Sequence, residues 1–332
     1  MPQDVSFAVP FEARVNPFLE RARGGHVEWV RESGLVCSEA GLEEYLSWDV
    51  PRAAAQMYPL AWEDDLRTVM DWLALDALLG RPTLVAGVGG EDRAADALYE
   101  LGAVAFRPAG EVLRVRTPLA RAWAQVWESL SEGMSERWCD RVSASWARRV
   151  AARVADAERG TASVGLEGYL EQQRRTVGAH WIDAVERLGG VELPAQVSAH
   201  ALTRRVRTAA VDVVAWVRDV HGLEHSEQEG DQRNLVTVLR GERGYSRHAA
   251  IDEALWMTRQ QLQVYRWLET EVPELCDELW LVESQREAVD TVLEGVGRWI
   301  RGCHDWTRDA GRPEGTREGT VSGGSCPEPG QC

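Results

Sequence analysis

The 332-residue sequence contains no lysine, and all 37 of its basic side chains are arginine. That absence is the mark of a GC-rich coding sequence rather than of a function. Positive charge is also scarce, since 53 acidic residues leave a net charge of −16. This excludes a non-specific hold on nucleic acid or anionic membrane, because both need clustered positive potential. A small molecule or another protein is the partner class that remains. No apolar run approaches eighteen residues, so no membrane-spanning helix is expected. The opening MPQDVSFAVPFEARVNPF lacks a basic region followed by an apolar one, so no secretory leader is expected either. The six cysteines (Cys37, Cys139, Cys276, Cys303, Cys326 and Cys332) form no CxxC pair and have no histidine at zinc-site spacing, which predicts reduced thiols in a cytoplasmic protein. Alternating strand patterns are almost missing, apart from a short ambiguous piece at Val112 to Val115. The stretch VAGVGG, Val85 to Gly90, has neither GxGxxG nor GKS/T and no strand before it, so it reads as a linker.

Tryptophan is plentiful, with fifteen in the chain. An indole brings a large apolar area and a negative π face that attracts cations. Such a content suits a cavity that holds carbocations, and it equally suits a helical core packed with indoles.

Helical periodicity dominates what is present. Residues 1–16 form an extended lead-in punctuated by Pro2 and Pro10, and residues 312–332 are too rich in Gly, Pro, Ser and Glu to order themselves. Between them, residues 17–311 read as one α domain. Helices are predicted over Pro17 to Ser33, Glu39 to Trp48, from Pro51, Ala61 to Leu79, Glu91 to Gly102, Pro118 to Ser131, Ser135 to Arg159, Val164 to Leu188, Pro194 to Leu223, Arg233 to Arg240, Ser246 to Thr270 and Leu281 to Ala310. The fold class is all-α, a single-domain helical bundle.

Several strings and their order carry a resemblance. The opening MPQDV, ERWCDRVSASWARRVAARVADAE, RRTVGAHWIDAVERLGGVELP, NLVTVLRGERGYS and IRGCHDWTRDAGR fall, collinear from Met1 to Arg312, where bacterial class I terpene synthases of the pentalenene synthase type have similar sequence. The resemblance implies the isoprenoid synthase α fold, a small-molecule isoprenoid substrate, carbocation chemistry, Mg²⁺ as cofactor where the family mechanism is retained, and a homodimer. In that family a DDxxD motif ends one helix, its carboxylates one turn apart so that they jointly hold magnesium. The matching residues are Asp76, Ala77, Leu78, Leu79 and Gly80, so only the first carboxylate survives. Across the cavity the family places N-D-x-x-S-x-x-x-E, with ligands at i, i+4 and i+8 on one face. Here those positions hold Arg218, Gly222 and Ser226; Asp219 is present but is not one of the three, and Glu224 lies off the face. The diphosphate-sensing arginine aligns near Gln173, beside Arg174 and Arg175, and the C-terminal Arg-Tyr pair appears as Arg312-Pro313. Trp306 matches the aromatic that lines the family's cavity.

Hard divalent ions need several anionic oxygens to offset dehydration, and Arg218 puts a permanent positive charge where an ion would sit. The metal positions are therefore read as departed, with Asp76, Asp219 and Glu224 the acids left for any metal. Two initiations are open. Arg218 with Arg174, Arg175 or Arg312 binds phosphate directly, or a desolvated, protonated Asp76 starts cyclisation as a general acid. Trp72, Trp181, Trp216 and Trp306 would stabilise the cation in either. The alternative is a non-catalytic homologue that binds an isoprenoid or a partner in the same cavity. A third arrangement, an ordinary magnesium site with displaced ligands, would draw on Glu63, Asp64, Asp65 and Asp71 or on Glu224, Glu227, Glu229 and Asp231. Asp71 lies about 140° around the helix from Asp76, so the two cannot chelate together.

Overall fold

The computed structural model describes residues 8–36, 38–79, 99–104, 115, 117–159, 165–176 and 180–310. The expected linker at 85–90, the ambiguous piece at 112–114, the C-terminal tail and Arg312 lie outside them.

Regular structure is helical: α1 Leu19–Glu32, α2 Glu39–Ser47, α3 Val50–Met57, α4 Glu63–Leu79, α5 Pro118–Ser131, α6 Glu136–Arg159, α7 Leu166–Thr176, α8 His180–Leu188, α9 Ala195–Ala199, α10 Ala201–His221, α11 Leu223–Glu229, α12 Leu235–Arg243, α13 Arg247–Glu278 and α14 Glu283–Ala310. Short polar side chains start many of these where the backbone has free N–H groups. Ser38 Oγ accepts from Gly41 N–H, Thr117 Oγ1 from Ala120 N–H, Asn234 Oδ1 from Val236 N–H and Ser246 Oγ from Ala249 N–H. Pro118 opens α5 directly after its cap, where the missing N–H costs nothing.

Three expected helices come out differently. The stretch 164–188 is two helices, α7 and α8, rather than one. The run ending at Leu223 breaks into α9, α10 and α11, with Gly222 closing α10 by donating its N–H to Arg218 O at 2.8 Å. Helix α13 runs past Thr270 to Glu278 with Pro273 inside it. The proline forfeits one backbone hydrogen bond, but Val272, Leu275 and Cys276 are buried on the same helix, and that burial carries the helix through.

Helix α14 packs on α3, α10 on both α13 and α14, and α4 on α1, α3 and α5. The α3–α14 contact is at backbone distance, because a Cβ added at Gly302 would lie 2.2 Å from Gln56 O. The N-terminal segment is bound across these helices. Arg301 donates to the carbonyls of Val9 (3.3 Å) and Phe11 (2.9 Å), and Asn16 Nδ2 donates to Tyr58 O and Ala61 O at 2.9 and 2.8 Å.

Candidate active-site cavity

Six helices enclose a cavity of about 210 Å³. Helix α3 contributes Val50, Ala53 and Met57; α4 contributes Leu73, Asp76 and Ala77; α6 Arg149; α8 Trp181; α10 Val214 and Arg218; and α14 Trp299, Cys303, Trp306 and Thr307. Asp76 and Leu73 are three apart on α4, and Trp299, Cys303 and Trp306 follow i, i+4, i+7 on α14, so each set shares one helical face. The walls are apolar and aromatic, and three charged side chains, Asp76, Arg149 and Arg218, interrupt them.

Asp76 lies three residues from the end of α4, where the helix dipole leaves partial negative charge and a carboxylate needs a cation. Arg149 supplies it. Its Nε and Nη2 donate to Asp76 Oδ1 and Oδ2 at 2.5 and 2.8 Å, a bidentate pair. Arg149 is only 3% exposed, and its remaining nitrogen, Nη1, is buried without a hydrogen-bond partner. Arg218 sits in the last turn of α10, where a cation is favoured. It donates from Nη2 to Gln173 Oε1 at 3.0 Å and lies 3.7 Å from Asp219.

The cavity therefore brings together Asp76, Arg218, Trp181 and Trp306 of the residues expected from sequence. It does not bring the other described ones to its wall. Trp72 belongs to a buried aromatic cluster with Trp123, Trp146, His180 and Trp181, at ring separations of 6.1, 6.1, 5.2 and 4.7 Å. Trp216 is buried on α10 without lining the cavity. Arg174 is held by Asp212 through two hydrogen bonds of 2.9 and 2.8 Å, and Arg175 pairs with Glu171 within α7. Asp219 is buried and accepts from Tyr169 Oη and from Leu235 N–H, the latter at 2.8 Å. Burial pushes its carboxyl up from the ordinary value, against the pull of Arg218. Glu224 is half-buried on α11.

Four of the acids considered for a displaced magnesium site are engaged elsewhere. Asp71 takes a 2.6 Å contact from His26 Nδ1, Asp65 pairs with Arg187, Glu227 with Arg240 and Arg247, and Asp231 with Arg233. Among the described residues, no group of three His, Cys, Asp or Glu could hold a metal ion. The family's magnesium cluster thus does not fit the residues present. Asp76 is bound by a guanidinium, and Arg218, Gly222 and Ser226 stand where the resemblance would place the facing ligands.

Beyond its aliphatic lining, the cavity has one aromatic and one charged residue that the sequence reading does not single out, Trp299 and Arg149. Trp299 lies seven residues before Trp306, so the heptad spacing on α14 was an available signal. Arg149 follows Arg148, and nothing in the string distinguishes which of the two meets an acid 73 residues away.

Trp181 is placed by what surrounds α8. Tyr58 Oη donates to the Trp181 carbonyl at 3.0 Å, and buried Asp183 and Glu186 tie α8 to Arg141 and Arg207 at 2.6 to 3.1 Å. Burial pushes Glu186 up, with Arg141 opposing. Beside Trp181, both ring nitrogens of His180 lack partners, and burial lowers its pKa to about 4, so the ring is neutral.

The comparisons with known proteins agree with this architecture. The family model for terpene synthase family 2, C-terminal metal binding, matches residues 92–263. A 7-epi-alpha-eudesmol synthase of Streptomyces viridochromogenes is 43% identical, covering 97% of this chain and 95% of that protein. The pentalenene synthase of Streptomyces arenae is 32% identical over 94% of this chain and 93% of its own. Among solved structures, a-eudesmol synthase superposes with a TM-score of 0.84 at 42% identity, over 92% of this chain and 99% of that one. Germacradien-4-ol synthase from Streptomyces citricolor gives 0.79 at 27% identity, over 93% and 100%. Similarity of this extent across nearly the whole chain, in sequence and in fold, establishes that the protein belongs to the bacterial class I terpene synthase family.

Proposed function

We propose that this chain is a terpene cyclase that acts on an isoprenoid through carbocation chemistry, with an initiation that does not use the family's magnesium cluster. The observation that carries this reading is the cavity wall: the indoles of Trp181, Trp299 and Trp306 enclose one space with the charged set Asp76, Arg149 and Arg218. An amphiphile with an apolar prenyl chain and an anionic head matches that division. In the reaction the allylic carbon–oxygen bond breaks and its electron pair leaves with the diphosphate oxygen. The resulting cation is attacked by a π bond of the same chain, and the final cation loses a proton or takes up water. Indole faces stabilise positive charge without offering a nucleophile, and exclusion of water by the apolar wall strengthens that attraction. Asp76 enters this reading as the counter-ion of Arg149 and not as the starting acid, since a bidentate guanidinium favours the ionised carboxylate. The relatives' names support a sesquiterpene-sized substrate, two of them being described as eudesmol synthases.

The test is turnover of geranyl, farnesyl and geranylgeranyl diphosphates by purified protein, with magnesium and with EDTA, read by product mass. A cyclic product in EDTA supports the full reading, and a product that vanishes with EDTA overturns the metal-free initiation. A second reading, a non-catalytic isoprenoid binder, is favoured by the capture of Asp76 by Arg149. Tight binding of a prenyl diphosphate with no product under either condition would select it.

A further inference from the structure

We propose that Arg149 and Arg218 form a metal-free clamp for the diphosphate head of an isoprenoid, built where the family holds its metal. The identity of the tail rests on the reading above, whereas the clamp itself does not depend on turnover. Three observations converge on it.

The first is an unmet donor. Arg149 is 97% buried, by its 3% exposure, and it gives two of its three nitrogens to Asp76. Nη1 is left without an acceptor in a residue that lines the cavity. A buried cationic donor without a partner is costly; Nη1 has almost no surface of its own at the cavity, so an anion would satisfy it through a small shift of the guanidinium toward the cavity. The second is charge. Asp76, the one carboxylate in the cavity wall, pairs with Arg149, and Arg218 has Asp219 at 3.7 Å behind the wall, so the charge that faces the largely apolar space is positive. The third is placement. Arg218 comes from α10 and Arg149 from α6, and Gln173 of α7 holds the Arg218 guanidinium by a 3.0 Å bond while leaving it other nitrogens. Guanidinium forks suit phosphate oxygens, whereas an ammonium would offer only a point charge. Asp76 is then the residue that sets the Arg149 fork in place, which is the opposite of its metal-ligand role in the family.

The experiment is calorimetric titration of the full chain with inorganic diphosphate, in EDTA and again in magnesium, followed by farnesyl diphosphate in EDTA. The expected result is equal diphosphate affinity with and without magnesium, and farnesyl diphosphate binding at least tenfold more tightly than diphosphate alone. Arg218→Gln, at a partly exposed side chain, should lose tenfold or more in affinity in EDTA. Arg149→Lys keeps a cation opposite Asp76 but lacks the third nitrogen, and should show a similar loss while melting as the parent does. Binding that needs magnesium, no binding in either buffer, or affinity unchanged in both variants overturns the clamp. Equal affinity for diphosphate and farnesyl diphosphate overturns its assignment to an isoprenoid. Clamp binding in EDTA without any product would leave the clamp standing and remove the cyclase reading.

Discussion

Arg218 donates to Gln173 at 3.0 Å, joining the last turn of α10 to α7. The resemblance implies a metal-ligating asparagine at position 218 and a diphosphate-sensing arginine near position 173. Here the cation sits on α10 and the amide on α7, and the two side chains meet. The same guanidinium reach from the other side should therefore serve the same anion. Arg218→Asn alone is expected to weaken diphosphate binding in EDTA by tenfold or more, and Arg218→Asn/Gln173→Arg to recover most of it. Titrating the single and double variants side by side checks this; a double variant no better than the single one would show that position 173 does not share the site.

The Asp76–Arg149 pair makes a prediction about stability. Removing one member of a buried ion pair strands the other, at a cost of about 3–5 kcal/mol, whereas replacing both by apolar residues of similar size is close to neutral. Arg149→Met should be strongly destabilised, and Asp76→Leu/Arg149→Met should recover most of the parent's stability. Denaturant melts of the two singles and the double give the coupling directly. Additive losses would mean that the pair is not the unit the geometry indicates.

Much of the fold was legible in the sequence because it is written in repeating apolar positions and in caps. Helix α5 runs over the expected Pro118–Ser131, bounded by the Thr117 cap and a first-turn proline. What was not legible is tertiary. The break of the second long stretch at Gly222 depends on the geometry at the end of α10, and the continuation of α13 through Pro273 depends on what Val272 and Cys276 pack against. At the site, Asp76, Arg218, Trp181 and Trp306 could be placed by resemblance. The partner of Asp76 could not, since a bidentate bond between residues 76 and 149 leaves no local trace. The same limit applied to the tryptophans: Trp72 and Trp181 touch at 4.7 Å, yet only Trp181 reaches the cavity.

Close approach of α3 and α14 makes Gly302 a fixed point of the cavity wall, one residue from Cys303. A methyl group there would meet Gln56 O at 2.2 Å and Met57 N at 2.4 Å, and backbone cannot step aside as a side chain can. Gly302→Ala should cost about 3 kcal/mol, at the upper end for overpacking, and should also disturb ligand binding because Met57 lines the cavity. Gly24, exposed in α1 with nothing within 4 Å of an added Cβ, is the control, and Gly24→Ala should instead gain about 0.5–1 kcal/mol. Thermal melts of both variants test the pair of signs.

His180 gives the pH dependence. It sits fully buried against Trp72, Trp146 and Trp181, with Asp76, Arg149, Asp183 and Arg207 as the charges around it. Burial is the main cause that lowers its pKa from 6.5 to about 4, Asp76 and Asp183 opposing and Arg149 and Arg207 assisting. The unfolded chain therefore takes up a proton at His180 in the window between those values and the folded chain does not. Stability from this group is fully present above about pH 6.5 and falls as pH drops toward 4, by roughly 3 kcal/mol across the window. Burial likewise lowers His221 to about 4, which adds to the slope in the same range. His180→Phe removes the proton uptake while keeping an aromatic ring among the indoles, so its denaturant midpoint should fall less steeply between pH 6.5 and 4.5 than the parent's. A slope identical to the parent's would mean that His180 is already protonated in the folded protein, and that a positive charge, unpaired among the three indoles, is part of the cavity's second layer.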